Sequence, residues 1–223
     1  MVTGAIIAGG RSTRFGEADK AVAPLAGTPM IRRVANRLAG TAASVDPGGD
    51  AASDGDPVVD NLLVNCRADQ RAAIEAAMGR YPLEVRYVED DEPDLGPMAG
   101  IRHACRGAPD DLVAVVACDM PFVDPSLLEY LCERAADAEA AVPQLNDEWF
   151  QTTQAVYRAE PMADACDRAL ARGDRRIIEP LFDLEYVVVD HDALESVTSE
   201  RTFENVNTRE ELDRAARRYR DVA

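Results

Sequence analysis

The sequence predicts an α/β protein, a three-layer sandwich with a Rossmann-like, mostly parallel sheet and helices on both faces. Short apolar runs alternate with helical patterns through residue 136, which is typical of consecutive β-α-β units. Because 47% of the 223 residues are hydrophobic, the chain can bury a full core. No internal repeat or linker divides the sequence, so we expect a single domain over residues 1–223.

Apolar, β-rich runs mark the predicted strands. These runs are 2–8, 61–64, 84–88, 112–117, 140–143, 152–157 and 186–190. The run at 112–117 is the most β-rich of them, which predicts that it lies at the centre of the sheet. The alternation of strands and helices becomes less regular after about residue 138.

Helix-start signals define several of the predicted helices. A Thr-Pro pair at 28–29 and an Asp-Pro pair at 124–125 have the N-cap and first-turn residues of helices. Thr208 with Glu211 three residues later forms a capping box for the last helix. The predicted helices are 29–40, 70–78, 97–105, 125–136, 161–171, 175–182 and 208 to about 220. Residues 41–57 have no periodicity and are rich in Ala, Asp, Gly and Ser, which predicts a flexible surface loop.

The charge balance excludes some classes of partner. The net charge is −17, from 41 acidic and 24 basic residues, which argues against a nucleic-acid or acidic-membrane surface. No run reaches the roughly 18 apolar residues of a membrane helix, and the N-terminus lacks signal-peptide features, so we expect a cytoplasmic protein. All the basic residues except one are Arg, and this acid-rich, lysine-poor composition is typical of proteins that work in high salt.

Cysteine and histidine offer little material for metal or nucleophilic chemistry. The five Cys are odd in number, lack C-x-x-C spacing and lie mostly in apolar runs, so we interpret them as reduced core thiols. The two His lie far apart in the sequence, which disfavours a His-based zinc site or a Ser-His-Asp triad.

The first predicted strand runs into a glycine pair, Gly9-Gly10, which Arg14 and Lys20 follow. Ligands of open parallel sheets bind at the carboxyl ends of strands. Glycines let backbone N–H groups approach an anion, and the two cations add positive charge. The spacing matches neither the P-loop nor the dinucleotide-binding pattern. Because Lys20 is the one Lys of the chain, and Lys is a compact charge suited to phosphate, we interpret it as functional.

Asp119 follows the predicted central strand and should lie at the same sheet edge as the glycine pair. An Asp at this position can alternatively cap a helix or form a turn, but Asp124 already occupies the cap position. A site that binds phosphates commonly holds Mg²⁺, which takes only one or two protein carboxylates. We therefore predict that Asp119 is a Mg²⁺ ligand.

Several segments together resemble the molybdenum cofactor guanylyltransferases, a family of the nucleotidyltransferase superfamily. They are AGG-x-S-x-R-x-G-x-x-DKA at 8–21, L-x-G-x-PMI at 25–31, VED followed by GPMAG within 88–100, CDMP at 118–121 and NVNT at 205–208. The likeness covers nearly the whole chain, and the loop 41–57 is the main departure. Enzymes of this superfamily attach a nucleoside monophosphate to a phosphorylated acceptor.

The resemblance implies roles for individual residues. The expected nucleotide-binding residues are Ile7, Ala8, Gly9, Gly10, Lys20, Asn65, Asp90, Gly96 and Asp119. The expected catalytic residues are Lys20, Arg14 and Asp119. Asp90, or its neighbour Asp91, would read the base or ribose, and Asn65 is either a guanine contact or a strand-end turn residue. Residues 1–136 would then form a nucleotide-binding half and residues 137–223 an acceptor-facing half.

The expected acceptor contacts lie in the second half, and they are Arg175, Arg176, Asn205 and Asn207. The arginines belong to a basic cluster at 172–176, for which a solvated helix end is an equal alternative. The asparagines have the alternative role of capping the last helix. Residues 152–154 are also expected on the acceptor side, although 151–153 departs from the family's His-Pro-Thr.

The resemblance implies transfer of GMP from GTP to molybdopterin-bound molybdenum, with Mg²⁺ as cofactor and pyrophosphate released. Molybdoenzyme-maturation proteins are further expected partners. Two alternatives stay open: a cytidylyl- or guanylyltransferase that acts on another phosphorylated acceptor, and an accessory protein that binds nucleotide without catalysis.

Overall fold

The computed structural model describes residues 1–10, 15, 19–40, 57–90, 96–146 and 149–221. For Arg220 and Asp221 it describes the backbone without the side chains. The predictions for Arg14, for Asp91 and, apart from Pro57, for the loop 41–57 therefore lie outside the described residues.

The described strands form one large sheet and a small hairpin. In chain order they are β1 (Val2–Ile7), β2 (Pro24–Leu25), β3 (Thr28–Pro29), β4 (Asn61–Cys66), β5 (Val85–Glu89), β6 (Leu112–Ala117), β7 (Ala140–Leu145), β8 (Trp149–Phe150), β9 (Gln154–Arg158) and β10 (Tyr186–Val189). The order across the large sheet is β10-β7-β9-β6-β1-β4-β5, with β8 paired to β7, and β2 pairs with β3 in the hairpin. The middle position of β6 confirms the prediction for 112–117.

Most strands of the sheet run in one direction. β6, β1, β4 and β5 are parallel neighbours, and β10 is parallel to β7. β9 is antiparallel to both β6 and β7, so β7 and β10 run in the direction of β1. The carboxyl ends of all these parallel strands therefore meet at one edge of the sheet, which we call the carboxyl edge.

Helices cover both faces of the sheet. They are α1 (Met30–Leu38), α2 (Ala68–Ala77), α3 (Pro97–Gly107), α4 (Pro125–Arg134), α5 (Ala159–Arg172), α6 (His191–Val197) and α7 (Arg209–Asp221). Ile6 of β1 belongs to a core cluster with residues of α1, α2, α4 and α6, while its neighbours Ala5 and Ile7 belong to a second cluster with residues of α3 and α5. This alternation produces the predicted three-layer α/β sandwich. Among the described helices, none is both long and apolar enough to cross a membrane.

The last helix, α7, closes the carboxyl edge from one side. Tyr219 of α7 stacks on Phe122, with 5.3 Å between ring centroids, and donates its hydroxyl to the Pro121 carbonyl at 3.1 Å. The guanidinium of Arg33 from α1 lies 4.1 Å from the centroid of the Tyr219 ring, and both side chains are buried. These contacts attach the C-terminal segment to the loop that follows β6.

One predicted helix start and one predicted helix differ from the structure. Residues 28–29 form β3, because Ala26 and Gly27 take positive φ of 48° and 88° and turn the chain back on β2, and α1 begins at Met30 with Pro29 as its N-cap, one residue later than predicted. Residues 175–182 contain no α-helix, and a 3-10 helix covers Glu179–Asp183 instead. Pro180 explains this difference, since it lacks an N–H donor and disfavours α conformation in the residue before it.

The structure also contains a helix that the sequence analysis missed. Asp190, predicted as the end of a strand, is the N-cap of α6 and accepts the Ala193 N–H at 3.0 Å. At 7 residues α6 is short, so its periodic signal is weak.

Candidate active site

A cavity of about 440 Å³ opens at the carboxyl edge. All the predicted nucleotide-binding residues line it, namely Ile7, Ala8, Gly9, Gly10, Lys20, Asn65, Asp90, Gly96 and Asp119. Of the predicted acceptor residues, Asn205 lines the described cavity and Arg175, Arg176 and Asn207 do not. The lining also includes residues that the sequence analysis did not assign, among them Asp19, Gly100 and Cys118.

We call the segment from Gly9 to Asp19 the glycine loop. Lys20, directly after this loop, begins a short 3-10 helix, Lys20–Val22. Asp19 caps this helix by accepting the Ala21 N–H at 2.9 Å. The Lys20 ammonium donates to Asp119 Oδ2 at 2.7 Å and to the amide oxygen of Asn207 at 3.0 Å. Because the Lys20 and Asp119 side chains are only 15% and 16% exposed, water screens this ion pair less than a surface pair.

Asp119 lies in the turn directly after β6. As the sequence predicted, Asp124 caps α4 by accepting the Ser126 N–H at 3.0 Å, which leaves Asp119 for another role. The Asp119 carbonyl accepts the Val206 N–H at 2.8 Å, so the C-terminal segment holds the backbone of this turn. Asp119 is therefore held on one side by Lys20, through its carboxylate, and on the other by the C-terminal segment, through its backbone.

Cys118 precedes Asp119 and lines the same cavity, but it is not suited to nucleophilic chemistry. Burial, reinforced by the neighbouring Asp119 charge, raises the pKa of the Cys118 thiol to about 12. The thiol therefore stays protonated near neutral pH and is a poor nucleophile. All five cysteines are free, as the sequence analysis expected for core thiols.

Asn65 and Asp90 form a polar pair at the ends of β4 and β5. Asn65 is fully buried and its amide donates to Asp90 Oδ1 at 2.8 Å. Its amide oxygen is buried without a hydrogen-bond partner among the described residues. Two glycines make room for the pair, because a Cβ on Gly9 would overlap Asp90 Oδ2 and one on Gly100 would lie 2.5 Å from Asn65 Oδ1. A buried acceptor of this kind favours a ligand that donates to it.

The N-terminus of α3 also faces the cavity. Gly96 is its N-cap with φ of 80° and ψ of −175°, a conformation that other residues adopt only with strain. Gly96, Pro97 and Ala99 line the cavity. Pro97 has no N–H, but the other N–H groups of this first turn have no acceptor within the helix and are suited to an anionic ligand.

The predicted acceptor side is more open than the nucleotide side. Arg175 and Arg176 are exposed in the loop after α5, where Arg176 pairs with Glu179. Thr153 lies in the turn between β8 and β9 and lines the cavity, and its carbonyl accepts the Ala117 N–H at 2.9 Å.

The MobA-like NTP transferase domain model matches residues 4–187. The chain belongs to this family. A probable molybdenum cofactor guanylyltransferase from Natronomonas pharaonis is 47% identical to it over 216 residues, which are 97% of either chain. The molybdenum cofactor guanylyltransferase from Burkholderia lata is 33% identical and aligns with 97% of this chain and 96% of its own. The protein is therefore a nucleotidyltransferase, which confirms the family and the enzyme class expected from the sequence.

Solved structures agree with this assignment. Molybdopterin-guanine dinucleotide biosynthesis protein A from Archaeoglobus fulgidus has a TM-score of 0.72 and 27% identity, with 96% of this chain and 97% of that chain covered. A 4-diphosphocytidyl-2C-methyl-D-erythritol synthase from Anaerococcus prevotii has a TM-score of 0.66 at 14% identity, with 97% and 96% covered, and this likeness concerns the fold alone.

Proposed function

We propose that this nucleotidyltransferase transfers GMP from GTP to molybdopterin-bound molybdenum and releases pyrophosphate. The observation that carries the proposal is the Lys20–Asp119 pair, 2.7 Å apart in a cavity at the carboxyl edge. The names of the relatives from Natronomonas pharaonis and Burkholderia lata support the choice of substrates. The free cysteines are consistent with a reducing compartment such as the cytoplasm.

The polar pair favours guanine as the base. Asn65 Oδ1 is an acceptor without a described partner, and Asp90 is a second acceptor beside it. The Watson–Crick edge of guanine presents two adjacent donors, N1–H and the N2 amino group, whereas cytosine presents one donor, its N4 amino group. We therefore assign Asn65 and Asp90 to the recognition of guanine.

Asp119 is suited to hold Mg²⁺. No cluster of three acidic, His or Cys ligands exists among the described residues, but Mg²⁺ needs only one or two carboxylates because phosphates and waters complete its shell. The carboxylate of Asp119, which lines the cavity beside Lys20, fits this requirement. When bound, Mg²⁺ would neutralise phosphate charge.

The residues of the chain would catalyse the transfer by positioning and by charge. An oxygen of the acceptor's terminal phosphate bonds to the α-phosphorus while the bond to the β-phosphate oxygen breaks, and pyrophosphate leaves. Since that phosphate is already anionic, no strong general base is required. Lys20 would stabilise the departing pyrophosphate, and the Gly9-Gly10 backbone would hold the nucleotide's phosphates. Arg14 is proposed to assist Lys20.

The acceptor is proposed to approach from the second half of the chain, where Asn205 already lines the cavity. Arg175 and Arg176 would bind its phosphate through guanidinium forks. Asn207 is proposed as a further contact, and its amide oxygen also accepts from Lys20. Proteins that mature molybdoenzymes are proposed to receive the product.

Pyrophosphate release tests the proposal. Each of the four nucleoside triphosphates is incubated with the protein and Mg²⁺, with and without molybdenum-loaded molybdopterin. We expect release with GTP that depends on the acceptor and on Mg²⁺. Preference for CTP would refute the guanylyl assignment, turnover with a different phosphorylated acceptor would replace molybdopterin, and binding without turnover would indicate an accessory protein.

A further inference from the structure

Arg67, the residue between β4 and α2, lies against the glycine loop. Its Nη1 donates to two backbone carbonyls, those of Gly9 at 3.2 Å and Gly10 at 2.9 Å. Asp69 binds the other edge of the guanidinium, with Nε to Oδ1 at 2.9 Å and Nη2 to Oδ2 at 3.2 Å. Four of the five N–H donors of this guanidinium are therefore committed to these bonds.

The contact with the Gly9 carbonyl determines where the next N–H group points. In a trans peptide the C=O and the following N–H lie on opposite sides of the chain. Since Arg67 holds the Gly9 oxygen, the Gly10 N–H is directed away from Arg67, and both glycines line the cavity. Without this bond, a peptide between two glycines could rotate at little cost.

Gln70, in the same helical turn, holds the other end of the loop. It is 3% exposed, and its amide donates to Asp19 Oδ2 at 2.6 Å, while its oxygen accepts the Arg67 N–H at 3.2 Å. The other Asp19 oxygen caps the 3-10 helix that begins at Lys20. The first turn of α2 thus fixes residues 9–10 at one end of the loop and residues 19–21 at the other.

We propose that Arg67 and Gln70 are positioning residues for the phosphates of the nucleotide. Arg67 orients the Gly9–Gly10 peptide so that its N–H donates to a phosphate oxygen, and Gln70 sets the position of Lys20 through Asp19. Arg67 acts through the loop and does not touch the phosphates. This inference rests on the proposed function only in requiring that the cavity binds a nucleoside triphosphate.

Arg67→Lys provides the test, because it keeps the positive charge but cannot bind two carbonyls and the Asp69 carboxylate together. Arg71→Lys is the matched control, since Arg71 is four residues further along α2 and pairs with Glu75 and Glu89. Calorimetric titration with GTP and with guanosine, in Mg²⁺, separates phosphate binding from base binding. We expect Arg67→Lys to weaken GTP binding about tenfold, leave guanosine binding unchanged and lower kcat, while Arg71→Lys matches wild type.

The alternative outcomes are distinct. Wild-type affinity for GTP in Arg67→Lys would show that a nearby positive charge suffices and would overturn the inference. An equal loss for GTP and guanosine would indicate a general structural defect and would also overturn it. If Arg67→Lys does not fold, Gln70→Glu, which loses the donor to Asp19, is expected to lower kcat about tenfold, and unchanged kcat would contradict the proposal. If the wild-type protein binds no nucleoside triphosphate, the proposed function itself is refuted. This outcome is measured on the wild-type protein alone and does not depend on the variants.

Discussion

The proposed nucleotide side and the proposed acceptor side of the active site are built differently. On the nucleotide side, Asn65 is fully buried and the Lys20–Asp119 pair is largely shielded, so these groups are already fixed before any ligand binds. On the acceptor side, Arg175 and Arg176 are exposed in a loop. If they bind the acceptor as proposed, binding would restrict the rotamers of these arginines, at about 1.5–2 kcal/mol for each fully ordered side chain. The difference suggests that the nucleotide site is preorganised and that the acceptor site is completed by the acceptor.

The largest expected effect comes from Asp119→Ala, on the preorganised side. Removal of this carboxylate leaves Lys20 without its 2.7 Å partner and removes the proposed metal ligand. We expect kcat to fall by about 10²–10³-fold while the fold is retained. Pyrophosphate release and a thermal melt measure the two properties.

The control for this substitution is Asp60→Ala. Asp60 accepts the Val2 N–H at 2.7 Å, at the amino end of the sheet. The Asp60→Ala variant should therefore keep wild-type turnover. Wild-type turnover in Asp119→Ala would remove Asp119 from the mechanism.

A smaller loss is expected from Gly100→Ala, which disturbs Asn65 and Asp90, the proposed base-binding pair. The new Cβ would lie 2.5 Å from Asn65 Oδ1, and the buried amide would have to move. We expect the KM for GTP to rise about tenfold, and the preference for GTP over CTP to narrow. Asn65→Ala should reproduce the loss of preference. An unchanged KM and preference in both variants would contradict the guanine assignment.

Asn207→Ala probes the boundary between the two sides. Its amide oxygen accepts from the Lys20 ammonium at 3.0 Å, so its loss removes one of two bonds that hold Lys20. We expect kcat to fall by up to about tenfold in steady-state kinetics, together with a higher KM for the acceptor, because Asn207 is also a proposed acceptor contact. A raised acceptor KM at constant kcat would instead assign Asn207 to the acceptor alone.

The smallest effect concerns Glu211, which supports the segment carrying Asn207. Glu211 Oε2 accepts the N–H groups of Asn207 at 2.7 Å and Thr208 at 2.9 Å, and these bonds lower the pKa of its carboxyl. Because the folded pKa lies below the unfolded one, this stabilisation is complete above the unfolded pKa of about 4.3 and is lost as the pH falls through the folded pKa. We expect Glu211→Gln to lower the Tm by about 2 °C at pH 7.

Thermal melts from pH 7 to pH 3 measure this difference. The gap in Tm between wild type and Glu211→Gln should shrink toward zero at the acidic end. A gap that is independent of pH would show that the charge of Glu211 does not contribute.

Much of the nucleotide side was predictable because parallel strands bring their carboxyl ends to one edge. The end of β1, the turn after β6 and the end of β4 place Gly9, Asp119 and Asn65 together once the strands are identified. The sequence signals there are apolar runs followed directly by glycine or polar residues.

Contacts made by residues far apart in sequence were not predictable in the same way. Lys20 and Asn207 are 187 positions apart, and only the docking of α7 brings them together. Arg67 was missed because one Arg among many gives no sequence signal, and its role depends on the direction of two carbonyls. The hairpin β2–β3 was missed because the positive φ of Ala26 is uncommon for a residue other than Gly.

A crystal structure with GTP and Mg²⁺ tests the preorganised nucleotide side most directly. We predict that guanine contacts Asn65 and Asp90, that the Gly10 N–H and Lys20 contact the phosphates, and that Asp119 binds the metal, with these residues close to their present positions. A nucleotide bound outside this cavity, or a metal held without Asp119, would contradict the mechanism.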